Sequence, residues 1–435
     1  MKFSTKILVS ILSATLAYAG AFNALSFNVA GLPQILQNNG EELDKDIATQ
    51  KIGEDFASMK DQLDIINVQE DFNYHAKLYD YDNHPYRTAT SGGVPFGSGL
   101  NTLSNYEILH TKRIKWNECS NASENDCLTP KGFTVSTLRL DGHIVNVINL
   151  HTDAGTEDDD NAKRNSNLKQ VADYIDSNLY DQAVLVFGDT NSRYTRASDD
   201  IAIFTNQNGL EDPWIVLERN GIVPEKGADS IMCQLPSTEN NCETVDKMFY
   251  RGDKTISFKA DTFHYAGNLF VHEGKQLSDH NPILVSFTYT SSEDFKTSEL
   301  IGGYHSNYFN DIGKINKGVK TTKISLKGAN RLDSVGLTLS DGTKFVHGGS
   351  GGEETTVNLS TDEYWTKAYL CTGKKDDHTR IFYINGTTTT GKTFQAGTKT
   401  SDCKYFEAPQ GYQITGYFGQ SGDNVDLLGF IYIKQ

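Results

Sequence analysis

Positive charge is in short supply in this chain. Its 435 residues carry 40 Lys and Arg against 56 Asp and Glu, a net charge of −16 with histidine neutral. Nucleic acids are met by basic surfaces, so this balance disfavours a DNA- or RNA-binding protein, although a bound metal would change the field locally. The six cysteines include no Cys-x-x-Cys and no zinc-ligand spacing, which removes the common structural zinc sites. Beyond the amino terminus no segment approaches the length of a transmembrane helix. The apolar run Ile7–Leu16 is itself too short to span. Lys2 and Lys6 precede it and Ala17-Tyr18-Ala19 follows as a small-x-small site, the pattern of a secretory signal peptide over residues 1–19. A soluble, secreted, extracellular protein is expected, and neither part of the chain shows a clear internal repeat.

The cysteines agree with export. Cys119 and Cys127, Cys233 and Cys242, and Cys371 and Cys403 are neighbours in sequence, so locality favours those three disulfides among the 15 pairings that six cysteines allow. The sequons at Asn121, Asn358 and Asn385 matter in a pathway that glycosylates. Acidity is unevenly spread. Residues 20–298 hold 23 basic against 42 acidic side chains, while residues 299–435 hold 15 against 14. Such a shift points to two domains with different tasks, divided at residues 20–290 and 299–435 by a polar linker at 291–298.

The first part is organised around Ala183–Asn191. Five apolar residues, Ala183 to Phe187, read as a buried strand, Gly188 allows a sharp turn at its end, and Asp189 and Asn191 follow. Around it the pattern predicts strands at 25–29, 65–68, 245–250 and 283–289, and a hairpin of 133–138 with 144–150 about Asp141-Gly142. Helices are expected at 46–63, with Ile47, Ile52, Phe56 and Met59 on one side, and at 161–179. Strands and helices mixed without strict alternation predict an α+β sandwich, sheets inside and helices outside. After residue 298 Gly, Thr and Tyr rise and the strands shorten, which predicts an all-β domain.

Polar residues recur at the ends of these strands: Asn28, Glu70, His151, Asp189 with Asn191, Asp246, and Ser278-Asp279-His280. Any one of them suits a cap or a turn; six such segments in one domain point to a shared site. In this order they resemble the endonuclease/exonuclease/phosphatase superfamily of DNase I-like phosphodiesterases, over about Ala24–Tyr289. The resemblance implies a four-layered α/β sandwich with the active site at one edge of the paired sheets. It implies Glu70 as principal Mg²⁺ ligand with Asn28 beside it and Asp279 close by. His280 would be general base, Asp246 its orienting partner, Asp189 the residue that positions water, and His151 and Asn191 the contacts to phosphoryl oxygens. The chemistry is consistent with those types: a dication screens the anionic phosphodiester, imidazole accepts a proton near neutrality, and amide and imidazole N–H groups meet the developing charge. Oxygen and nitrogen donors suit Mg²⁺ and also accommodate Mn²⁺.

Within the superfamily the chain resembles the neutral sphingomyelinase branch. The shared features are Phe72 two residues after Glu70, the Gly99-Leu100-Asn101-Thr102-Leu103-Ser104 strand, Lys131-Gly132-Phe133, and Arg164 with Leu168. Phe72 also suits core packing and Lys131 a solvated turn. Thr190 departs from the family's apolar preference. The segment 263–276 is shorter than the membrane-touching hairpin of bacterial relatives, which leaves transient membrane contact open.

Residues 299–435 resemble the jacalin-like lectins, through Gly302-Gly303, the glycine loop 348–352 and the segment 418–426 before the last strand. That family implies a β-prism whose sugar site combines Gly303 with Gly422, Asp423, Asn424 and Asp426, the aspartate accepting sugar hydroxyls. The expected protein is therefore a secreted Mg²⁺-dependent phosphodiesterase acting on a phospholipid headgroup and targeted by glycan binding. A secreted nuclease on the same scaffold and a glycan-binding protein with an inactive phosphodiesterase domain are the alternatives.

Overall fold

The computed structural model describes residues 19–34, 43–123, 125–237 and 239–435. The expected signal peptide lies outside the described residues except for Ala19. Two sheets stack in the first domain. One has the order β10 (Ile256–Tyr265), β13 (Ile283–Ser291), β1 (Ala19–Asn28), β2 (Ile65–Gln69), β4 (Asn101–Ser104) and β3 (Tyr86–Arg87). The other has the order β5 (Glu107–Lys115), β6 (Gly132–Leu140), β7 (His143–His151), β8 (Val184–Asp189) and β9 (Asp246–Arg251). A short hairpin, β11 (Val271–His272) with β12 (Lys275–Gln276), stands apart. The helices α1 (Lys45–Ser58), α2 (His75–Tyr81), α3 (Asp158–Asn178) and α4 (Ile203–Asn208) complete the domain. This is the DNase I-like sandwich that the sequence leads one to expect.

Between the sheets, polar side chains satisfy one another across an otherwise apolar core. Asn67 donates to the carbonyls of Ile148 (3.2 Å) and Phe187 (3.1 Å), and Gln69 to Asn149 (2.8 Å). Such pairing removes the cost of burying amides and pins the register of one sheet on the other. Asp141 and Gly142 both take positive φ, at 47° and 93°, as a two-residue hairpin turn requires.

Three local readings differ from the structure. Helix α1 turns Ala48, Ile52 and Phe56 inward, while Ile47 is 47% exposed, because the i, i+4 stripe begins one residue later. Gly188 is within β8 rather than at a turn; a Cβ there would stand 2.2 Å from the Leu150 carbonyl oxygen, so its role is close backbone approach. The turn instead falls at Asn191, whose φ is 46°. In the expected linker, Phe295–Thr297 form a strand paired with Ile431–Ile433, and Phe295 is buried.

The second domain consists of three antiparallel sheets of five, four and four strands around Trp365, which makes edge contacts with Phe394, Tyr417 and Phe430. This is the all-β prism expected of a jacalin-like domain. The two domains are docked: Leu109 and Ile144 of the first join the apolar core of the second. Lys254 Nζ donates to the carbonyls of Gly313 (2.7 Å) and Ile315 (2.8 Å), and Thr297 Oγ1 donates to the Gly142 carbonyl (2.9 Å). Disulfides join Cys119 to Cys127, Cys233 to Cys242 and Cys371 to Cys403, the pairing favoured by locality. Among the described residues, no helix is long and apolar enough to cross a membrane.

Candidate active site

Parallel pairing of β1 with β2 and of β7 with β8 brings several strand ends to one edge of the sandwich. His151 is level with Asp189, and Asp189 with Asp246 across β9. Asn28, at the end of β1, joins the two sheets: its Nδ2 donates to Glu70 Oε1 at 3.1 Å and to Asp189 Oδ2 at 3.0 Å. Its Oδ1 is fixed by the Ala30 N–H (3.0 Å). Glu70 follows β2 with φ at 56°, a strained backbone for a glutamate that swings its carboxylate into this edge. The Asn191 N–H bonds Asp189 Oδ1 (2.9 Å), and its amide donates to the Thr152 carbonyl (3.1 Å).

His280 Nδ1 lies 3.0 Å from Asp246 Oδ2, and its Nε2 lies 3.8 Å from Asp189 Oδ2. Burial opposes the imidazolium charge, but Asp246, Asp189 and Asp279 hold its pKa well above the ordinary histidine value. His151 is the opposite case. Burial, reinforced by Lys131, pushes its pKa down to about 3, so it is neutral. Its Nε2 lies 3.1 Å from Lys131 Nζ and 3.5 Å from Asp189 Oδ2. Bonding to the lysine assigns the imidazole proton to Nδ1, which is buried and unpaired.

The best provision for a cation is Glu70. Burial raises its pKa, and Asp279 adds to the rise. One oxygen is held by Asn28, while Oε2 is buried with no hydrogen-bond partner. An unpaired, hard carboxylate oxygen in a buried acidic pocket fits a hard divalent ion. Donor atoms of Asp189, Asp246 and His280 also lie within 4.8 Å of one another. The His280 nitrogen facing Asp246 serves that carboxylate, which suits an oriented base better than a ligand set.

All eight residues expected at this site from the sequence thus lie together: Asn28, Glu70, His151, Asp189, Asn191, Asp246, Asp279 and His280. Two more belong beside them. Lys131 is largely enclosed between Asp126, which bonds its Nζ directly, and His151. Burial opposes the lysine charge, yet Asp126, with Glu70 and Asp189, raises its pKa. Lys131 is therefore no solvated turn charge, and nothing in the sequence marks Asp126. Arg164, completely buried, bonds Asp199 (2.7 Å) and the Gly155 carbonyl (2.9 Å), fixing the loop after His151. Phe72 packs on Gly99, where a Cβ would stand 2.7 Å from the ring. In the segment 263–276, Tyr265 and Phe270 are buried while Leu269 and Val271 are exposed.

In the second domain the Gly303 N–H bonds the Asp426 carbonyl (2.9 Å), and the Gly422 N–H the Asn424 carbonyl (3.0 Å), which closes the loop as a unit. Asn424 is turned inward, donating to Asp333 (2.8 Å) and accepting from Arg331 (3.2 Å); Asp423 is exposed. Asp426 is fully buried. Its carboxylate accepts from Arg380, from Ser306 and, at 3.1 Å, from His305.

Residues 34–243 match the Endonuclease/Exonuclease/phosphatase family 2, and residues 298–431 match the Jacalin-like lectin domain. A sphingomyelinase of Mycobacterium tuberculosis is 36% identical over 282 residues, covering 63% of this chain and 54% of that protein. The chain thus spans about half the length of the curated relatives it matches. Among solved structures, a sphingomyelinase C from Streptomyces griseocarneus is 18% identical over 61% of this chain and 99% of its own, with a TM-score of 0.43. A mannose-binding jacalin-related lectin from Ananas comosus is 20% identical over 32% and 99%, with a TM-score of 0.29.

Proposed function

We propose that this chain, which joins an endonuclease/exonuclease/phosphatase domain to a jacalin-like lectin domain, is a secreted phosphodiesterase. It hydrolyses a phospholipid of the sphingomyelin class, releases the phosphorylated headgroup, and is kept near its substrate by the lectin domain. The observation that carries the chemistry is the His280–Asp246 pair, set against Asp189 and Glu70 in one buried, acidic edge. The 36% identity to a sphingomyelinase favours the lipid substrate, and the acidic balance disfavours the nuclease alternative.

Glu70, with Asn28 and Asp279 beside it, would hold a divalent cation, Mg²⁺ or Mn²⁺, which supplies charge against the phosphate and offsets the carboxylate field on His280. Water bound at Asp189 faces the Nε2 side of His280, which accepts its proton as the oxygen attacks phosphorus. Asp246 holds Nδ1–H and stabilises the imidazolium so formed. The Asn191 amide is placed to donate to a phosphoryl oxygen, while His151, its Nε2 engaged by Lys131, holds that lysine's fixed positive charge beside it. Because no residue of the hydrolytic edge comes from the lectin domain, glycan binding raises the local concentration of enzyme at a surface without altering the reaction.

The test is a paired assay of the purified full chain on sphingomyelin vesicles and on plasmid DNA, each with Mg²⁺ and with EDTA. The result expected is headgroup release that needs both the metal and His280, with the plasmid intact and the His280→Ala variant inactive but folded. Plasmid nicking with the same dependence would establish the nuclease instead. Activity retained by His280→Ala would remove that residue as base. Secretion is checked separately, by the amino-terminal sequence of exported protein, which should start at residue 20.

A further inference from the structure

We propose that the carbohydrate ligand of the second domain is an oligosaccharide gripped between the two domains, in a composite site to which the catalytic domain contributes one wall. This rests on the lectin reading above and specifies it. A cleft of about 640 Å³ separates the outer face of the β5–β6–β7 sheet and the end of α3 from the loops that carry Gly422 and Ser306. Its size is within the range of ligand-binding clefts. Lys112, Tyr174 and Asn178 line it from the first domain, and Ser306, Tyr308 and Gly422 from the second.

Three observations direct the sugar here. Asp426, the carboxylate expected to accept hydroxyls, is sealed from solvent, and its oxygens are taken by Arg380, Ser306 and His305. A sugar resting on this loop therefore needs other partners. Tyr308, in the cleft wall, has a nearly buried hydroxyl with no close hydrogen-bond partner, Asn310 being the side chain that interacts with it. A hydroxyl so placed beside a roomy polar cleft is the kind of group a ligand hydroxyl completes. Opposite it, Tyr174 offers a ring and Lys112 an ammonium 5.6 Å from that ring's centre, while no carboxylate lines the cleft among the described residues. Aromatic face, amide and hydroxyl are the groups that recognise the alternating apolar and hydroxyl faces of a sugar chain.

The walls also hold their spacing. Leu109 and Ile144 are packed into the core of the second domain, and the two hydrogen bonds that Lys254 donates to the Gly313 and Ile315 carbonyls tie the domains together near Tyr180, just beyond α3. A preformed gap between rigid walls binds without the entropic cost of closing. The site is built from residues nearly 200 positions apart, and neither domain contains it alone.

The test is binding of mannose, glucose and galactose oligosaccharides, one to five units long, to the full chain and to its Lys112→Ala and Tyr308→Phe variants. Lys112 is exposed and Tyr308→Phe removes one atom, so both variants should fold and should hydrolyse a soluble phosphodiester normally. The composite site predicts tighter binding as the chain lengthens, and a loss of at least about tenfold in pentasaccharide affinity in the double variant with monosaccharide binding unchanged. Pentasaccharide binding that ignores both substitutions would overturn the composite site and leave the lectin reading standing. Absence of any sugar binding by the unaltered chain would overturn both.

Discussion

Replacing Asp246 with asparagine isolates what the carboxylate does for His280. The two are 3.0 Å apart, and the Asp246 side chain is only 4% exposed, so water does not screen the pair as it would at a surface. A hydrogen bond to a charged group contributes about 1.5–3 kcal/mol. Its loss, together with that of the negative charge, lowers the His280 pKa. The sign follows from the role of a base. Activity rises as pH rises through the pKa of His280, so lowering that pKa moves the ascending limb of the pH–rate profile to lower pH. The rate itself falls, because asparagine can present its NH₂ to Nδ1 and so favour the tautomer that carries its proton on Nε2, where the water proton must go. Loss of the charge-assisted bond together with that tautomer error predicts a drop in kcat of about 10²–10⁴. The assay is headgroup release from soluble substrate over pH 5–9 at saturating Mg²⁺, with KM followed alongside. An ascending limb that moves by less than about 0.3 unit, with kcat within about threefold of the parent, would refute the pairing as a catalytic device.

Other substitutions probe separate parts of the structure. Glu70→Gln keeps the shape of the side chain and removes the charge, so half-saturation by Mg²⁺ should rise about tenfold or more; an unchanged Mg²⁺ titration would remove Glu70 as ligand. Arg164→Met breaks a fully buried ion pair and leaves Asp199 with Arg196 as its one remaining cation, a loss of about 3 kcal/mol. Calorimetry should then show the catalytic domain melting about 10 °C lower, and a shift under about 2 °C would contradict the role given to that pair. Asp426→Ala strands Arg380 in the same way, and should lower the stability of the lectin domain by about 3 kcal/mol as well as altering glycan binding. An Asp426→Ala protein of unchanged stability would mean that the carboxylate is not engaged internally as described.

The edge that gathers the eight candidate residues was legible in the sequence because strands expose their ends in register. A polar residue closing an apolar run, as at Asn28, His151 or Asp189, is placed by the run itself, and parallel pairing then aligns the ends. The same logic fails for side chains that reach the site from turns. Lys131 and Asp126 stand five positions apart, in a stretch whose path is set by the neighbouring disulfide and not by periodicity, so a lysine there reads equally well as solvated. Gly188 shows a different limit. Glycine after an apolar run suggests a turn, whereas the reason for it is the Leu150 carbonyl on the adjacent strand, a neighbour that only the sheet order reveals. Arg380 closing over Asp426 is of the same kind: 46 residues separate them. Nor does any local pattern announce a cleft whose walls come from Lys112 and Tyr308.

Strand β7 is nine residues long and has His151 at its far end, while Ile144, near its start, packs into the second domain. At about 3.3 Å per residue, the seven steps from Ile144 to His151 put roughly 23 Å between the lectin contact and the candidate active edge. On the proposed function, the protein is built with a standoff, a fixed spacer between where it would be moored and where it would cut. A lipid whose own sugar is the mooring would lie at the wrong end of that spacer, out of reach of His280. Long glycans rising from neighbouring molecules would let the hydrolytic edge swing down to the bilayer. Abundance of glycan on a surface would then matter less than its height, and shaving tall glycans from a vesicle should slow the enzyme even where short ones still bind it.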